Sequence, residues 1–389
     1  MSSIVIKGDT SGSITVEAPS VAGTHTLTLP KATGNIATDA TVGLGQKNIV
    51  INGDMRIAQR GDQTGVTSAQ YINVDRYFVN MINLGTWSFT QSTDVPTGQG
   101  FGKSLKIDCT TADASPAAGD NFYLSMQHEG QNIQHLKKGT SSAETTTLSF
   151  WIKSNKTGNY VVELWDRTND RHIAVLKTIS TANTWEKHIC TFAGDTSGAI
   201  ASDNARSIMI SWAFDTGTNF TSGTLPTSWA TRVDANRFVG TNLGLGDSTA
   251  NEVLLTGVQW EVGENATPFE YRSYGTELAL CQRYYYVTNP DDVSAGQGSG
   301  FFGVQWNATN GTCYHQFPVQ MRTAPSFSLG GTATTWYMSG VTGAASGSVN
   351  GTYTFMKKDG CQVEITSMTS SGKGQIYGYN GQAKFSAEL

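Results

Sequence analysis

The sequence predicts an all-β protein made of several short-stranded modules, and three observations carry that prediction. Apolar residues recur at period two along most of the chain, the signature of half-buried strands. Turn formers punctuate those runs, and glycine alone supplies 43 of the 389 residues. Helix-forming residues cluster in a single stretch near residue 280. Hydrophobic residues are 38% and charged residues 15% of the chain, which suits short strands and polar loops. Aromatics at 10% are enough to fill a packed core, so a disordered chain is excluded.

Residues 1–40 predict a short N-terminal β attachment segment. Ile4 and Ile6 alternate, Gly8-Asp9 turns the chain, and Ile14, Val16 and Ala18 share a face. Leu27 and Leu29 repeat the pattern before Pro30. So short a segment cannot bury its apolar face alone, and needs copies of itself or another protein.

Residues 41–272 predict a central jelly-roll sandwich. Leu148, Phe150 and Ile152 alternate in one block, and Tyr160–Trp165 follows after a Lys156-Thr-Gly-Asn turn. Further runs at 173–179, 185–192, 208–214 and 253–260 are evenly spaced, with no helical intervals. Within it, Asp75-Arg76 between Val74 and Tyr77-Phe78 reads as a hydrogen-bonded charge pair at a sheet end.

Residues 273–287 predict one short linking helix, with Thr276 as its cap and Glu277 complementing the helix dipole. Leu278, Cys281, Gln282 and Tyr285 fall on one face, and Leu280, Tyr284 and Val287 on another. A helix apolar on two sides is buried, either by β domains of its own chain or along a trimer axis. The axis reading places Leu278, Cys281 and Tyr285 there.

Residues 288–389, set off by the Gly/Ser-rich run 294–300, predict a C-terminal β-sandwich tip. Trp306, Tyr314, Trp336, Tyr337, Tyr377 and Tyr379 stand there in Gly- and Asn-rich surroundings. Aromatic rings stack on sugar C–H faces, so these six are candidate receptor or glycan contacts. In the central domain Trp165, Trp212 and Trp229 are weaker candidates.

Catalytic and metal chemistry finds little purchase. The five cysteines are widely spaced with no CxxC pair, and the six histidines show no ligand spacing. Asp75, Glu163, Asp166, Glu186, Asp215 and Glu261 are the carboxylates a glycosidase would draw on, but no spacing pairs them. No GxSxG elbow or phosphate loop is present. The expectation is a protein without enzyme activity, cofactor or metal. A net charge of −5 with no basic stripe argues against nucleic acid, and no apolar run is long enough to span a bilayer. The start Met1–Lys7 lacks a secretion-signal pattern, so synthesis and folding in a cytoplasm are expected.

Several phrases carry a family resemblance. Lys47–Gly61 with Val74-Asp-Arg-Tyr-Phe78 resembles the opening of a jelly-roll domain in phage tail-fibre-like proteins. Gly257–Gly263 and Ala266–Arg272 resemble its close, and Tyr274–Tyr285 the element that follows. Lys7–Val16 and Thr24–Pro30 are similar to the leader of fibre subunits, and Gln316–Pro325 to a phrase of their C-terminal regions. The resemblance covers residues 1 to about 325, and the remainder matches no phrase of the family. It implies a virion structural protein, typically a homotrimer, fixed to other tail proteins by residues 1–40. The middle domain also looks like the jelly roll of carbohydrate-binding modules, which often hold a structural calcium ion where an acid follows the Asn-Gly of the first strand, and Asn52-Gly53-Asp54 fits that first part of the pattern. Arg56 stands where a second acid belongs. The function expected is a tail-fibre adhesin of the virion that binds a host surface glycan or protein. The alternatives are a polysaccharide depolymerase and a head fibre or decoration protein.

Overall fold

The N-terminal alternation forms a hairpin. Strands β1 (Ser3–Lys7) and β2 (Ser13–Glu17) pair antiparallel, with Ile4 opposite Val16 and Ile6 opposite Ile14. The structure is a computed structural model that describes residues 3–7, 13–17, 47–288, 302–305, 310–330, 335–340, 343–366, 374–378 and 382–389. The predicted Leu27–Leu29 strand lies outside the described residues. The chain divides into two compact units, Met1–Gly45 and Gln46–Leu389, so the predicted breaks near 272 and 288 fall inside the second.

That second unit opens with thirteen strands: β3 (Gln63–Val66), β4 (Gln70–Tyr71), β5 (Tyr77–Ile82), β6 (Thr86–Ser92), β7 (Ser104–Thr111), β8 (Asn121–Glu129), β9 (Thr146–Ser154), β10 (Gly158–Asp166), β11 (Arg171–Ile179), β12 (Glu186–Phe192), β13 (Arg206–Thr216), β14 (Ala230–Thr231) and β15 (Glu252–Val262). They form a seven-stranded sheet, β14-β11-β10-β13-β8-β5-β4, and a six-stranded sheet, β12-β9-β15-β7-β6-β3. Every pairing is antiparallel and the chain passes repeatedly between the sheets, a sandwich of jelly-roll type.

The predicted inward positions hold: Leu148, Phe150 and Ile152 are fully buried. Trp87 stacks on Phe122 at 4.0 Å, and Phe150 meets Trp212 edge-on at 5.8 Å. Two glycines of the predicted motifs have steric reasons. A Cβ on Gly53 would lie 2.1 Å from the Val258 carbonyl oxygen, and Gly257 has φ +64° under the Phe101 ring. Gly257 sits where β15 shifts register against β9.

The helix departs from expectation at both ends. Helix α1 runs only Tyr274–Gln282, and its cap is Ser273, whose Oγ accepts from the Thr276 N–H at 3.2 Å. Thr276 lies inside the helix. The remaining residues, Tyr285–Val287, form strand β16 because they pair with the C-terminal strand β24 (Gln382–Ser386). Between them lie β17 (Phe302–Gln305), β18 (Gly311–Gln316), β19 (Ser326–Gly330), β20 (Thr335–Gly340), β21 (Gly343–Met356), β22 (Gly360–Thr366) and β23 (Gly374–Gly378). They make sheets β16-β24-β19 and β17-β18-β22-β21-β20-β23. Cys313, Phe317, Met321, Val363 and Phe385 pack a second core between them.

Asp75 and Arg76 do not pair with each other. Asp75 accepts from the Gln59 amide and N–H, while Arg76 reaches across to Glu388 and the Gln127 carbonyl. Arg76 adopts φ 76°, a conformation rare for a non-glycine residue, and that backbone turn sends the adjacent side chains to different partners. Its guanidinium lies 3.4 Å from the Tyr284 ring centroid. Arg76 therefore joins the sandwich to the C-terminal segment instead of closing a sheet end with Asp75.

Candidate functional site

Strand alternation in the C-terminal sheet turns one face inward and leaves the other open. On β22, Cys361 and Val363 are buried while Gln362 and Glu364 remain partly exposed. Register places Tyr314 of β18 and Phe355 of β21 on either side of Gln362. Tyr314 is 54% exposed, Phe355 59% and nearby Val304 of β17 61%. The result is an aromatic–amide–aromatic row on an open sheet face. Rings in such a row can stack on sugar C–H faces while the amide takes hydroxyls.

The six predicted tip aromatics fare differently. Tyr314 stands in this row. Trp336 and Tyr337 lie on β20 and Tyr377 on β23, with Tyr337 opposite Tyr377 and Trp336 opposite Gly378. Trp306 and Tyr379 lie outside the described residues. Phe355, Gln362 and Val304 were not anticipated. The alternation Cys361-Gln-Val-Glu364 was the available signal, and it becomes informative only once β22 is known to be flanked on both sides.

The three residues assigned to a trimer axis are covered to different extents within one chain. Cys281 is fully buried and Tyr285 6% exposed, while Leu278 is half-buried. Arg60 stacks on Tyr285 at 3.6 Å, and Gln59 donates to the Tyr285 carbonyl. Side chains already enclosed by their own chain cannot line an axis between chains, which corrects the placement of Cys281 and Tyr285.

Each carboxylate considered for catalysis has a structural partner. Glu163 binds Arg237 at 2.8 Å and His172 at 2.9 Å. Asp166 receives Lys138 at 2.5 Å and Asn169 at 2.8 Å. Asp215 accepts the Gly246 N–H, Glu186 the Ser180 and Thr181 N–H groups, and Glu261 the Thr267 hydroxyl and N–H. Burial, opposed by the neighbouring Arg60, pushes Asp75 up to about 7, but the side chain is sealed from solvent.

At the position where the module resemblance raises calcium, Asp54 pairs with Arg56 at 2.5 Å. Arg272 donates to the carbonyls of Asn48 and Val50 and meets Glu277 at 3.2 Å. Guanidinium groups thus supply the positive charge at this spot. Among the described residues no three His, Cys, Asp or Glu side chains converge as metal ligands.

In the sandwich, Trp212 is fully buried in the core, which removes it from the candidate contacts. Trp229 donates to the Ala193 carbonyl and lines a cavity of about 20 Å³ with Leu136, Lys138 and Trp260. That volume admits a water and not a sugar ring. Trp165 remains half-exposed.

No family model matches the sequence, and no curated protein matches it. Among solved structures, the enzymatically active domain of bacteriophage CBA120 tailspike protein 4 aligns at 13% identity, with a TM-score of 0.29. That alignment covers 56% of this chain and 21% of the tailspike chain, so the chain spans about a fifth of its length. A CBM4 module aligns at 13% identity over 55% of this chain and 98% of its own, with a TM-score of 0.28. The CBM22-1 xylan-binding domain of Paenibacillus barcinonensis Xyn10C aligns at 11% identity over 56% and 96%, with a TM-score of 0.26. The sandwich architecture rests on the strand order and core described above.

Proposed function

We propose that the chain is a non-enzymatic adhesin of a phage virion, of tail-fibre type, which holds a host surface glycan on the open face of its C-terminal sheet. The observation that carries this reading is the row Tyr314–Gln362–Phe355 beside Val304, large side chains left exposed on one strand face. Isolated exposed apolar residues are ordinary, but a contiguous row of them marks a contact surface. The resemblance of residues 1 to about 325 to tail-fibre-like proteins supports a virion role. The structural engagement of every candidate carboxylate supports binding over hydrolysis.

The N-terminal hairpin supports attachment and a homotrimeric assembly. A two-stranded pair is marginal in water by itself, and β1 and β2 are the strands described in this unit, so copies or a tail-protein partner fit the reading. Three copies would also repeat the tip face, turning weak single contacts into firm adhesion by avidity.

The test is binding of the full-length protein to host cells, with Tyr314→Ala and Phe355→Ala combined. The double variant should lose most of its binding while melting at the parental temperature. Undiminished binding would overturn the assignment of the tip. A companion incubation with host polysaccharide should release no new reducing ends, and release abolished by a carboxylate substitution would establish a depolymerase instead.

A further inference from the structure

Among the described residues, the arginines of the second unit that are not exposed follow one rule with one departure. Arg60 and Arg76 pair with Glu388, Arg171 with Asp195, Arg237 with Glu163 and Arg283 with Glu129. Arg322 donates to the Ala387 and Asn204 carbonyls. Arg167 is partly buried too, yet among the described residues its guanidinium has neither a carboxylate nor a carbonyl partner.

Its surroundings make that departure costly. Arg167 and Arg232 each place a guanidinium 4.0 Å from the centroid of the Trp165 ring, and Arg237 lies at 4.8 Å. Of these, Arg237 is matched by Glu163, and Arg232 by Asp234 and, at 3.9 Å, Asp170. Burial, together with Arg206, Arg232 and Arg237, holds the Arg167 guanidinium below its ordinary value, with Tyr123 opposing. Four arginines thus face three carboxylates, and the excess positive charge rests on Arg167 and the exposed Arg206. Stacking on an indole fixes the plane of a guanidinium and leaves its edge donors free for a planar anion.

We propose that Arg167, with Trp165 and Arg232, forms a binding site for an acidic saccharide, taking the sugar carboxylate at the Arg167 fork. The proposal rests on the glycan-binding reading above but places a second site on the sandwich, on strand β10 and the turn after it. A carboxylate matches a planar two-donor edge and carries the single negative charge that the local excess calls for. The half-exposed indole, stacked with guanidiniums, borders the fork. Trp165 donates its Nε1–H to Asp170 at 3.2 Å, which holds the indole in place.

The experiment titrates the full-length protein with a uronate-containing oligosaccharide, its carboxyl-reduced neutral counterpart and inorganic phosphate. Calorimetry and tryptophan fluorescence are the readouts. The parent should bind the acidic oligosaccharide at least about tenfold more tightly than the reduced one, and Arg167→Gln should abolish that preference. Arg167→Lys, which keeps the charge without the fork, should fall between them. Because the Arg167 guanidinium makes no hydrogen bond among the described residues, both variants should melt as the parent does. An acidic preference that survives Arg167→Gln, or none in the parent, overturns the proposal. Phosphate competing as well as the oligosaccharide overturns the saccharide assignment. The Tyr314→Ala, Phe355→Ala double variant runs alongside. Loss of cell binding there, with no effect of Arg167→Gln on saccharide binding, sinks this inference alone.

Discussion

The sandwich seals its largest aromatics inside, whereas the C-terminal sheet leaves two of its own in the open. Trp87, Trp212 and Trp260 of the sandwich are at most 1% exposed, whereas Val304, Tyr314 and Phe355 of the C-terminal sheet exceed half exposure. The sandwich also encloses charge: Glu163, Asp166, Arg76 and Arg237 are buried, each with a partner. A buried charge is tolerated only while its partners are kept, so this region resists change. Among the described residues, the open face of the C-terminal sheet encloses no charge. Its outward residues can be exchanged without disturbing Cys313, Val363 and Phe385 beneath, which is what a contact surface needs.

The seam between the two regions offers the largest way to break this contrast. Glu388 pairs with Arg60 at 2.9 Å and with Arg76, while Arg322 binds the Glu388 carbonyl at 2.6 Å. Tyr71 donates to the Leu389 carbonyl at 2.7 Å. Glu388→Ala leaves Arg76 buried without its carboxylate and should cost about 3–5 kcal/mol in chemical denaturation. A loss below about 1 kcal/mol would mean that the C-terminal strand is not clamped by charge. For the same reason a chain cut after Val287 is a poor probe of the tip, since it removes Glu388 as well.

The helix sharpens the comparison at a smaller scale. Cys281→Ser buries a hydroxyl in place of a thiol and should cost about 1–3 kcal/mol. Because the chain itself encloses Cys281, that loss should not depend on protein concentration. A loss that shrinks as concentration rises would return Cys281 to an interface between copies.

A pH series separates the buried acid from the buried base. Asp75 titrates at about 7 in the folded protein against an ordinary 3.8. A raised folded value favours the folded state below pH 3.8, and that contribution is lost as pH rises through 7. His128 runs the other way. Burial and Arg76 lower it from 6.5 to about 3, so its contribution is present above 6.5 and lost as pH falls. Asp75→Asn should therefore remove part of the decline in melting temperature between pH 4 and 7, leaving a profile that rises with pH. A variant curve parallel to the parent would show that Asp75 does not titrate in that window.

Local pattern made the strands of 47–272 legible, because one buried face and one turn per strand leave a period-two trace in the residues themselves. The same trace does not distinguish Trp165 from Trp212. Both sit on strands of the seven-stranded sheet, and only the register, Trp165 beside Met209 and Trp212 beside Val162, turns them to opposite faces. The end of helix α1 was illegible for a related reason. Tyr284–Val287 continues the apolar helical faces, but the backbone of Tyr285–Val287 pairs with residues 384–386, a contact invisible to any local window. Arg76 and Glu388 lie 312 positions apart, so Asp75-Arg76 read as a neighbouring pair. The tip row was half legible: Tyr314 stood out as an aromatic among polar residues, whereas Phe355 and Gln362 gained meaning from the strands beside them.

The smallest expected effect on stability belongs to that row, and it decides between scaffold and contact surface. Tyr314 and Phe355 each leave more than half their area in water, so truncation to alanine removes little buried apolar surface. Each variant should unfold within about 0.5 kcal/mol of the parent, as surface substitutions away from caps and charge networks do. Binding to host cells should respond differently, because a stacked aromatic contributes about 1 kcal/mol or more at a contact. Repetition of the face in an assembly would multiply that loss. Gln362→Ala separates the parts of the row, removing the amide while keeping both rings. If it weakens binding as much as losing a ring, hydroxyl recognition is shared between amide and aromatics. A marked loss of stability from Tyr314→Ala or Phe355→Ala would instead show that the ring packs against something within the chain. The contrast between the two regions would then fail at its most exposed point.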